Sequence, residues 1–139
     1  MDPEYLVDTS ALYPAILRLR EDILAHAELL AVLDLTKYEV GNVLWKEAKR
    51  GRVEDLESAS SLFEEVLRHL REIRVEVEDL PGILRLAVER GLSFYDSSYA
   101  YVAESRGIKL VTEDEVMLEK CPSAVRLEEF VAELKSVRR

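Results

Sequence analysis

The sequence predicts an α/β fold, a three-layer α/β/α sandwich with a central parallel sheet. Short apolar segments alternate with amphipathic helical segments, and strands separated by helices pair in parallel through right-handed crossovers. The chain has 139 residues, of which 48% are apolar, enough for one hydrophobic core. No repeat or linker-like tract interrupts the alternation, so we expect a single domain over residues 1–139.

Apolar periodicity and helix-boundary residues define the elements of the first half. Ser10 stands where a helix cap is expected, Thr36 opens a second helix, and Gly51 follows it in a position that favours a left-handed backbone. The predicted elements are the strand Tyr5–Val7, the helical segments Ala11–Arg20 and Glu21–Glu28, the strand Leu29–Leu35, and the helices Thr36–Arg50 and Asp55–Leu70. The last helix has one apolar face, made of Leu56, Ala59, Phe63, Val66, Leu67 and Leu70.

Alternation and glycine positions define the second half. The segment Ile73–Val77 alternates apolar and charged residues as a strand does. Pro81 is tolerated in the first turn of the next helix, and Gly91 and Gly107 each stand just past a helix end. The predicted elements are the strand Ile73–Val77, the helices Leu80–Arg90 and Tyr95–Arg106, the strand Ile108–Val111, the helix Glu113–Lys120, the strand Ala124–Leu127 and the helix Glu128–Val137, with Phe130, Leu134 and Val137 on its apolar side.

The charge balance and the scarce residue types exclude several functional classes. The net charge of −9 is incompatible with a protein that coats nucleic acid, but not with an enzyme whose acids hold a metal. Cys121 is the only cysteine, and His26 and His69 are the only histidines, so neither a disulfide nor a Cys/His zinc site is expected.

The same inventory bears on location and source. No apolar run approaches the roughly 18 residues of a membrane span, and the opening MDPEYLVDTS lacks the pattern of a signal peptide. We therefore expect a cytoplasmic protein without a membrane partner. Glutamine is absent and Asn42 is the only asparagine, a composition typical of a thermophilic source.

Four acidic residues that are distant in the sequence are predicted at one edge of the sheet. Asp8 follows the first strand, Glu39 lies in the first turn after the second core strand, and Asp114 follows the strand Ile108–Val111. Asp96 opens the helix before that last strand. Because ligands of parallel α/β sheets bind outside the carboxyl ends of the strands, this edge is the predicted site.

Helix capping is the alternative role for these acids. Acids favour helix N-termini, and a capping box places an acid three residues after a hydroxyl residue. Two pairs fit that box, Thr36 with Glu39 and Ser93 with Asp96. Asp8 fits it less well because it lies before the predicted cap at Ser10, and the other acidic residues are interpreted as exposed helix faces.

The chemistry of four converging carboxylates favours a divalent cation. Such groups repel each other, which raises some of their pKa values, and a bound cation removes the repulsion. An oxygen-only site without His or Cys suits Mg²⁺ or Mn²⁺. A centre of this kind activates water and neutralises charge on a phosphoryl group, so the predicted reaction is phosphodiester hydrolysis.

Four segments carry a resemblance to a known family. YLVDTSAL, YEVGNVLW, FYDSSYAYVAE and KLVTEDEVML, in this order, resemble the signature segments of PIN-domain ribonucleases, and the last two are most similar to VapC-type toxins of toxin–antitoxin pairs. The resemblance implies a PIN fold, Mg²⁺- or Mn²⁺-dependent endoribonuclease activity on RNA, a homodimer and a small inhibitory antitoxin. It also implies that the catalytic residues are Asp8, Glu39, Asp96 and Asp114.

The resemblance further assigns roles within this set. Asp8, Asp96 and Asp114 would bind the metal, directly or through water, while Glu39 would either ligate it or orient the attacking water. The hydroxyl that supports such sites matches Thr112 and, less well, Thr9 or Ser10. Asn42 lies three residues after Glu39, on the same helix face, and is expected to orient Glu39; an incidental surface residue is the alternative.

Two other functions stay open at this stage. The same fold serves RNA-maturation or quality-control nucleases that have no antitoxin, and a PIN-like binding module without catalysis is a further alternative. Tyr95 and Tyr99 are interpreted as core or rim aromatics rather than base-stacking platforms, and Trp45 as a core residue. Residues that would bind the substrate are not predicted.

Overall fold

The central sheet of the computed structural model has five parallel strands. The structure describes residues 2–137, without the side chain of Val137, which leaves the predicted place of that side chain outside the described part. The strands are β1 Tyr5–Val7, β2 Leu30–Leu33, β3 Arg71–Ile73, β4 Lys109–Val111 and β5 Ala124–Val125. They are ordered β3-β2-β1-β4-β5, and Leu6 on the central strand is in register with Ala31 and Leu110. The predicted α/β fold with a parallel sheet is confirmed.

Helices cover both faces of the sheet. They are α1 Thr9–Leu19, α2 Thr36–Lys49, α3 Leu56–His69, α4 Leu80–Arg90, α5 Phe94–Arg106, α6 Glu115–Lys120 and α7 Leu127–Val137, with short 3₁₀ segments at Arg20–Leu29 and Val77–Asp79. Gly91 and Gly107 have φ of 66° and end α4 and α5, as predicted. No helix among residues 2–137 is long and apolar enough to cross a membrane.

The two hydrophobic cores follow from the alternation of side chains along β1. Tyr5 and Val7 face one core, which α1, α3 and α7 complete, and Leu6 faces the other, which α5 and α6 complete. Phe63 of α3 and Phe130 of α7 are buried in the first core, and Met117 of α6 in the second. The short central strands are therefore buried on both faces, as parallel strands in this class of fold are.

Several predicted boundaries differ from the observed ones, and two of the differences have a clear local reason. The third strand is Arg71–Ile73 rather than Ile73–Val77, because Glu76 and Asp79 form a reciprocal capping box that starts a 3₁₀ turn at Val77. Helix α1 begins at Thr9, because Asp8 rather than Ser10 caps it. The Asp8 carboxylate accepts a hydrogen bond from the Ala11 N–H at 3.2 Å.

Candidate active site

The four predicted acids are carried by elements that meet at the carboxyl edge of the central strands. Asp8 ends β1, Glu39 lies in the first turn of α2 after β2, and Asp114 caps α6 after β4. Asp96 lies in the first turn of α5. Burial is the main cause of the raised pKa values of Asp8 and Asp96, and neighbouring acids add to it: Asp96 raises the pKa of Asp8, and Asp114 and Glu39 raise that of Asp96. The strand order β2-β1-β4 therefore gathers acids from distant parts of the sequence.

Asp8 is the most deeply buried of the four, with 6% of its surface exposed. Burial raises its pKa from an ordinary 3.8 to about 6, although hydrogen bonds from Ser10, Thr112 and the Ala11 N–H oppose part of the shift. The Ser10 hydroxyl donates to Asp8 Oδ1 at 2.6 Å. Asp8 thus caps α1, and burial also destabilises its ionised form. Helix capping and a role in a metal site, the two alternatives from the sequence, are therefore compatible for this residue.

Hydroxyl groups link Asp8 to Asp114. Thr112 is fully buried, and its Oγ1 lies 3.2 Å from Ser10 Oγ and accepts a hydrogen bond from the Asp114 N–H at 3.1 Å. Ser10 Oγ also accepts from the Glu113 N–H at 2.9 Å. Asp114 Oδ1 accepts from the first backbone N–H groups of α6, at 2.8 Å from Val116. The predicted hydroxyl residues Thr112 and Ser10 therefore hold the loop after β4 against the end of β1.

Glu39 is held by hydroxyl groups and not by a capping box. Thr9 Oγ1 and Tyr99 Oη both donate to Glu39 Oε1, at 3.0 and 2.6 Å. Thr36 does not cap α2, because its Oγ1 instead accepts from the Leu33 N–H at 3.1 Å. With both hydrogen bonds on Oε1, the other oxygen of Glu39 is left for a ligand or a water molecule.

Tyr99 is the residue that the sequence interpretation missed. It is 2% exposed, and its hydroxyl lies 2.7 Å from Thr36 Oγ1. Because Tyr99 donates to the carboxylate of Glu39, the Thr36 hydroxyl must donate to Tyr99. This gives one directed chain, from the Leu33 N–H through Thr36 and Tyr99 to Glu39. Its spacing of three residues after Asp96, on the same helix, was the only available sequence signal.

Asp96 is half-buried and has a raised pKa. Burial is the main cause, followed by the negative charges of Asp114 and Glu39. Ser93 caps α5, because its hydroxyl accepts a hydrogen bond from the Asp96 N–H at 3.1 Å. This is one of the two hydrogen bonds of the predicted capping box, the one that the hydroxyl residue makes. None of the ion pairs formed by residues 2–137 includes Asp8, Glu39, Asp96 or Asp114.

The donor set fits a hard divalent cation in its chemistry. All candidate ligand atoms are oxygens, two of the carboxyl groups have raised pKa values, and a cation would relieve both burial and repulsion. Within the described part of the chain, no three Asp, Glu, His or Cys side chains are close enough to hold one metal ion together.

Two other predicted residues lie outside this cluster. Asn42 is exposed on α2, and no hydrogen bond of the described residues joins its side chain to Glu39. Trp45 is 57% exposed, so its interpretation as a core residue is wrong. Its ring lies 5.1 Å from Lys49 Nζ, and this cation–π contact holds it on the outer face of α2.

Fold and site together define an α/β domain with an oxygen-donor centre at the carboxyl edge of its parallel sheet. The family model described as the PIN domain matches residues 5–121, and the chain belongs to the PIN-domain family. Two relatives from Pyrobaculum aerophilum are similar over most of their length. The protein named Exonuclease VapC9 is 49% identical over 134 residues, 96% of this chain and 98% of the relative. The protein named Ribonuclease VapC3 is 37% identical over 107 residues, 76% of this chain and 81% of the relative.

Solved structures agree with this assignment. The crystal structure of PAE2754 from Pyrobaculum aerophilum has a TM-score of 0.89 and 47% identity, covering 98% of this chain and 99% of the other. The DNA-bound VapBC structure from Salmonella typhimurium has a TM-score of 0.65 at 18% identity, covering 90% of this chain and 98% of the other, and shows the shared fold. The thermophilic composition fits the Pyrobaculum relatives, and the predicted resemblance to VapC-type PIN proteins is confirmed.

Proposed function

We propose that this protein is a metal-dependent endoribonuclease and the toxin of a toxin–antitoxin pair. The observation that carries the proposal is the group of four acids at the carboxyl edge, none of which forms an ion pair with a basic side chain of residues 2–137. The names of the two Pyrobaculum relatives, an exonuclease and a ribonuclease, support a nuclease. RNA as the substrate implies action in the cytoplasm.

Each acid has a role in the proposed mechanism. Asp8, Asp96 and Asp114 would hold Mg²⁺ or Mn²⁺, which when bound supplies charge neutralisation at the scissile phosphate and lowers the pKa of water. Glu39, fixed by Thr9 and Tyr99 through one oxygen, presents the other to the attacking water and accepts its hydrogen bond. Water attacks the phosphorus and the P–O3′ bond breaks; the leaving 3′-oxygen takes up a proton, so the products carry a 5′-phosphate and a 3′-hydroxyl.

The test compares RNA cleavage by the parent, Asp8→Asn and Asp96→Asn with Mg²⁺, with Mn²⁺ and with a chelator. Asp22→Asn, which changes an exposed acid outside the site, is the matched control. We expect cleavage by the parent and the control only when metal is present, and a loss on the order of 100-fold or more in the two site variants. Equal turnover by all four proteins would exclude the mechanism.

Circular RNA separates an endonuclease from an exonuclease. An endonuclease opens the circle, whereas an exonuclease needs an end. We expect circular and linear forms of one sequence to be cut at the same positions. Shortening of the linear form alone, with the circle intact, would contradict the endonuclease and favour the activity named for VapC9.

A short antitoxin protein and a homodimer complete the proposal. An antitoxin segment with Arg or Lys would complement the acidic edge. The likeness to the Salmonella VapBC structure supports an antitoxin partner. A complex whose contacts avoid the four acids would contradict this. Light scattering of the purified chain tests the homodimer, which a monomer at all concentrations would exclude.

A further inference from the structure

A small apolar groove opens beside the acidic edge, between the starts of α2 and α5. Its volume is about 230 Å³, below the roughly 300–1,000 Å³ of clefts that hold drug-sized ligands. Leu35, Val75 and Phe94 supply apolar lining from the ends of β2 and β3 and the start of α5. A groove of this size and composition suits a single flat ring.

Two exposed tyrosines line this groove. Tyr38 of α2 is 71% exposed and Tyr95 of α5 is 59% exposed, although buried positions for such rings would be more favourable. The Phe94 ring lies edge-on to Tyr95, with centroids 6.5 Å apart and an interplanar angle of 87°. Phe94 thus limits the orientations of Tyr95, and a ring that enters the groove meets an aromatic surface that is partly fixed.

The sequence ties both tyrosines to the acidic edge. Tyr38 immediately precedes Glu39, and Tyr95 immediately precedes Asp96. The groove and two of the four acids are therefore carried by the same first turns of α2 and α5.

Two basic residues stand next in sequence to residues that line the groove, Lys37 before Tyr38 and Arg74 before Val75, and their charge favours a nucleotide over a purely apolar ligand. Lys37 Nζ lies 5.5 Å from the centre of the Tyr38 ring and 3.2 Å from Glu72. Arg74, next to the lining residue Val75, is exposed and forms no ion pair with another residue of the described chain. Cations beside aromatic rings are the arrangement that binds single-stranded nucleic acid, through phosphates and stacked bases.

We propose that this groove, called here the tyrosine groove, binds one unpaired base of the RNA next to the scissile phosphate. The proposal rests on the ribonuclease function proposed above and adds a base-binding groove beside the proposed cleavage site. Asp34 also lines the groove, and its Oδ1 accepts from the Val75 N–H at 3.3 Å. Its second oxygen can accept from a base amino group, so the groove selects cytosine over uracil, whose O4 is an acceptor.

Binding of a fluorescein-labelled single-stranded oligonucleotide, followed by anisotropy, tests the groove without any cleavage. The measurement uses Asp96→Asn as the background and adds Tyr38→Ala or Tyr95→Ala. We expect each change to weaken binding about 5- to 100-fold, the range for loss of one stacked base. Tyr95→Phe retains the ring and should bind as the background does. Trp45→Ala, which removes an exposed aromatic from the outer face of α2, is the matched control and should also have no effect.

The base preference is tested with oligonucleotides that differ only in cytosine or uracil at one position. We expect a preference for cytosine of roughly tenfold, which Asp34→Asn abolishes while its Oδ1 still accepts from Val75. Unchanged RNA affinity in folded Tyr38→Ala and Tyr95→Ala would overturn the proposal and leave the groove to a protein partner. Weakened binding without cleavage by the parent would reject the proposed ribonuclease but retain the groove, and no RNA binding by any protein would reject both.

Discussion

Acidic side chains at the two ends of the central strands have pKa values shifted in opposite directions. At the amino end, Glu133 accepts hydrogen bonds from the Tyr5 hydroxyl and from Lys109 Nζ, the latter at 2.9 Å, and these contacts lower its pKa. At the carboxyl end, burial and neighbouring acids raise the pKa of Asp8 and of Asp96. The same sheet therefore stabilises an ionised acid at one end and destabilises ionised acids at the other.

The difference separates structural acids from chemical ones. An acid with a basic partner favours folding, and the charge of Glu133 joins α7 to the first residues of β1 and β4. A buried acid without a cation opposes folding, and it is kept where it serves binding or catalysis. The pKa values of Asp8 and Asp96 are raised and that of Glu133 is lowered, which is the contrast expected if the carboxyl end carries the proposed site.

Asp8→Asn should give the largest change, a gain in stability accompanied by a loss of activity. The raised pKa of Asp8 means that the folded protein binds a proton more tightly than the unfolded chain. The free energy of unfolding therefore falls as pH rises from 3.8 to about 6, and the full cost is present at pH 7. Asparagine retains the oxygen that caps α1 but cannot ionise, so the metal-free variant should gain up to about 3 kcal/mol at pH 7.

Thermal unfolding of metal-free protein between pH 3.5 and 7.5 measures this gain. The two stabilities should diverge as pH rises through that window, whereas Asp22→Asn should follow the parent. Adding Mg²⁺ should stabilise the parent more than Asp8→Asn, because only the parent gains a ligand charge. A stability difference that is constant with pH would show that the buried charge of Asp8 is not the cause.

Tyr99→Phe should give the next largest effect, on cleavage. It removes the 2.6 Å hydrogen bond to Glu39 and leaves the one from Thr9. Groups that orient the residues of a metal site contribute about 10- to 100-fold in activity or metal affinity, and we expect a loss in that range. Cleavage rates at saturating RNA, measured over a range of Mg²⁺ concentrations, show whether the maximal activity or the metal affinity is reduced.

Tyr5→Phe is the matched comparison, because it removes a tyrosine hydroxyl from an acid at the other end of the sheet. Its cleavage rate should equal that of the parent. If Tyr5→Phe and Tyr99→Phe reduced cleavage equally, the effect would come from the stability of the sheet and the two ends would not differ in function.

The fold was predictable because burial on both faces leaves a strong signal. The core strands are short apolar runs, and the helices between them carry an apolar stripe and glycine stops such as Gly91 and Gly107. The third strand was predicted two residues too far along the sequence, at Ile73–Val77 instead of Arg71–Ile73. The alternation of apolar and charged residues in Ile73–Val77 gives no information on which residues pair with a neighbouring strand. Only the pairing of Arg71–Ile73 with β2 and the capping box that follows fix its end.

The positions of the four acids at the carboxyl edge were predictable because strand ends determine position in a parallel sheet. The hydroxyl partners Thr9, Ser10 and Thr112 were also predictable, because they stand beside strand ends. Tyr99 was not, because its pattern in a helix is that of a core residue and its contact with Glu39 depends on how α5 packs against α2. Trp45 shows the opposite error, since a large aromatic ring was taken as core and lies on the surface. The sequence states the chemistry of each side chain directly, whereas the residues that surround it in space depend on how the helices pack.

Glu133→Gln should give the smallest effect and a pH dependence opposite to that of Asp8→Asn. The lowered pKa of Glu133 means that its ionised form adds stability above its ordinary value of 4.5, and that this stability is lost as pH falls further. The side chain is 34% exposed, so solvent screens the pair with Lys109 and the loss should be about 0.5–1 kcal/mol at pH 7. Thermal unfolding at pH 7 and at pH 3 measures it.

Glu64→Gln provides the control, because Glu64 pairs with Arg68 on the exposed surface of α3 and should contribute about 0.5 kcal/mol or less. Glu133→Gln should leave RNA cleavage unchanged, since the change lies at the end of the sheet away from the four acids. If it stabilised the protein at pH 7, as Asp8→Asn is expected to do, both ends would hold destabilised acids. The direction of a pKa shift would then no longer distinguish the site from the scaffold.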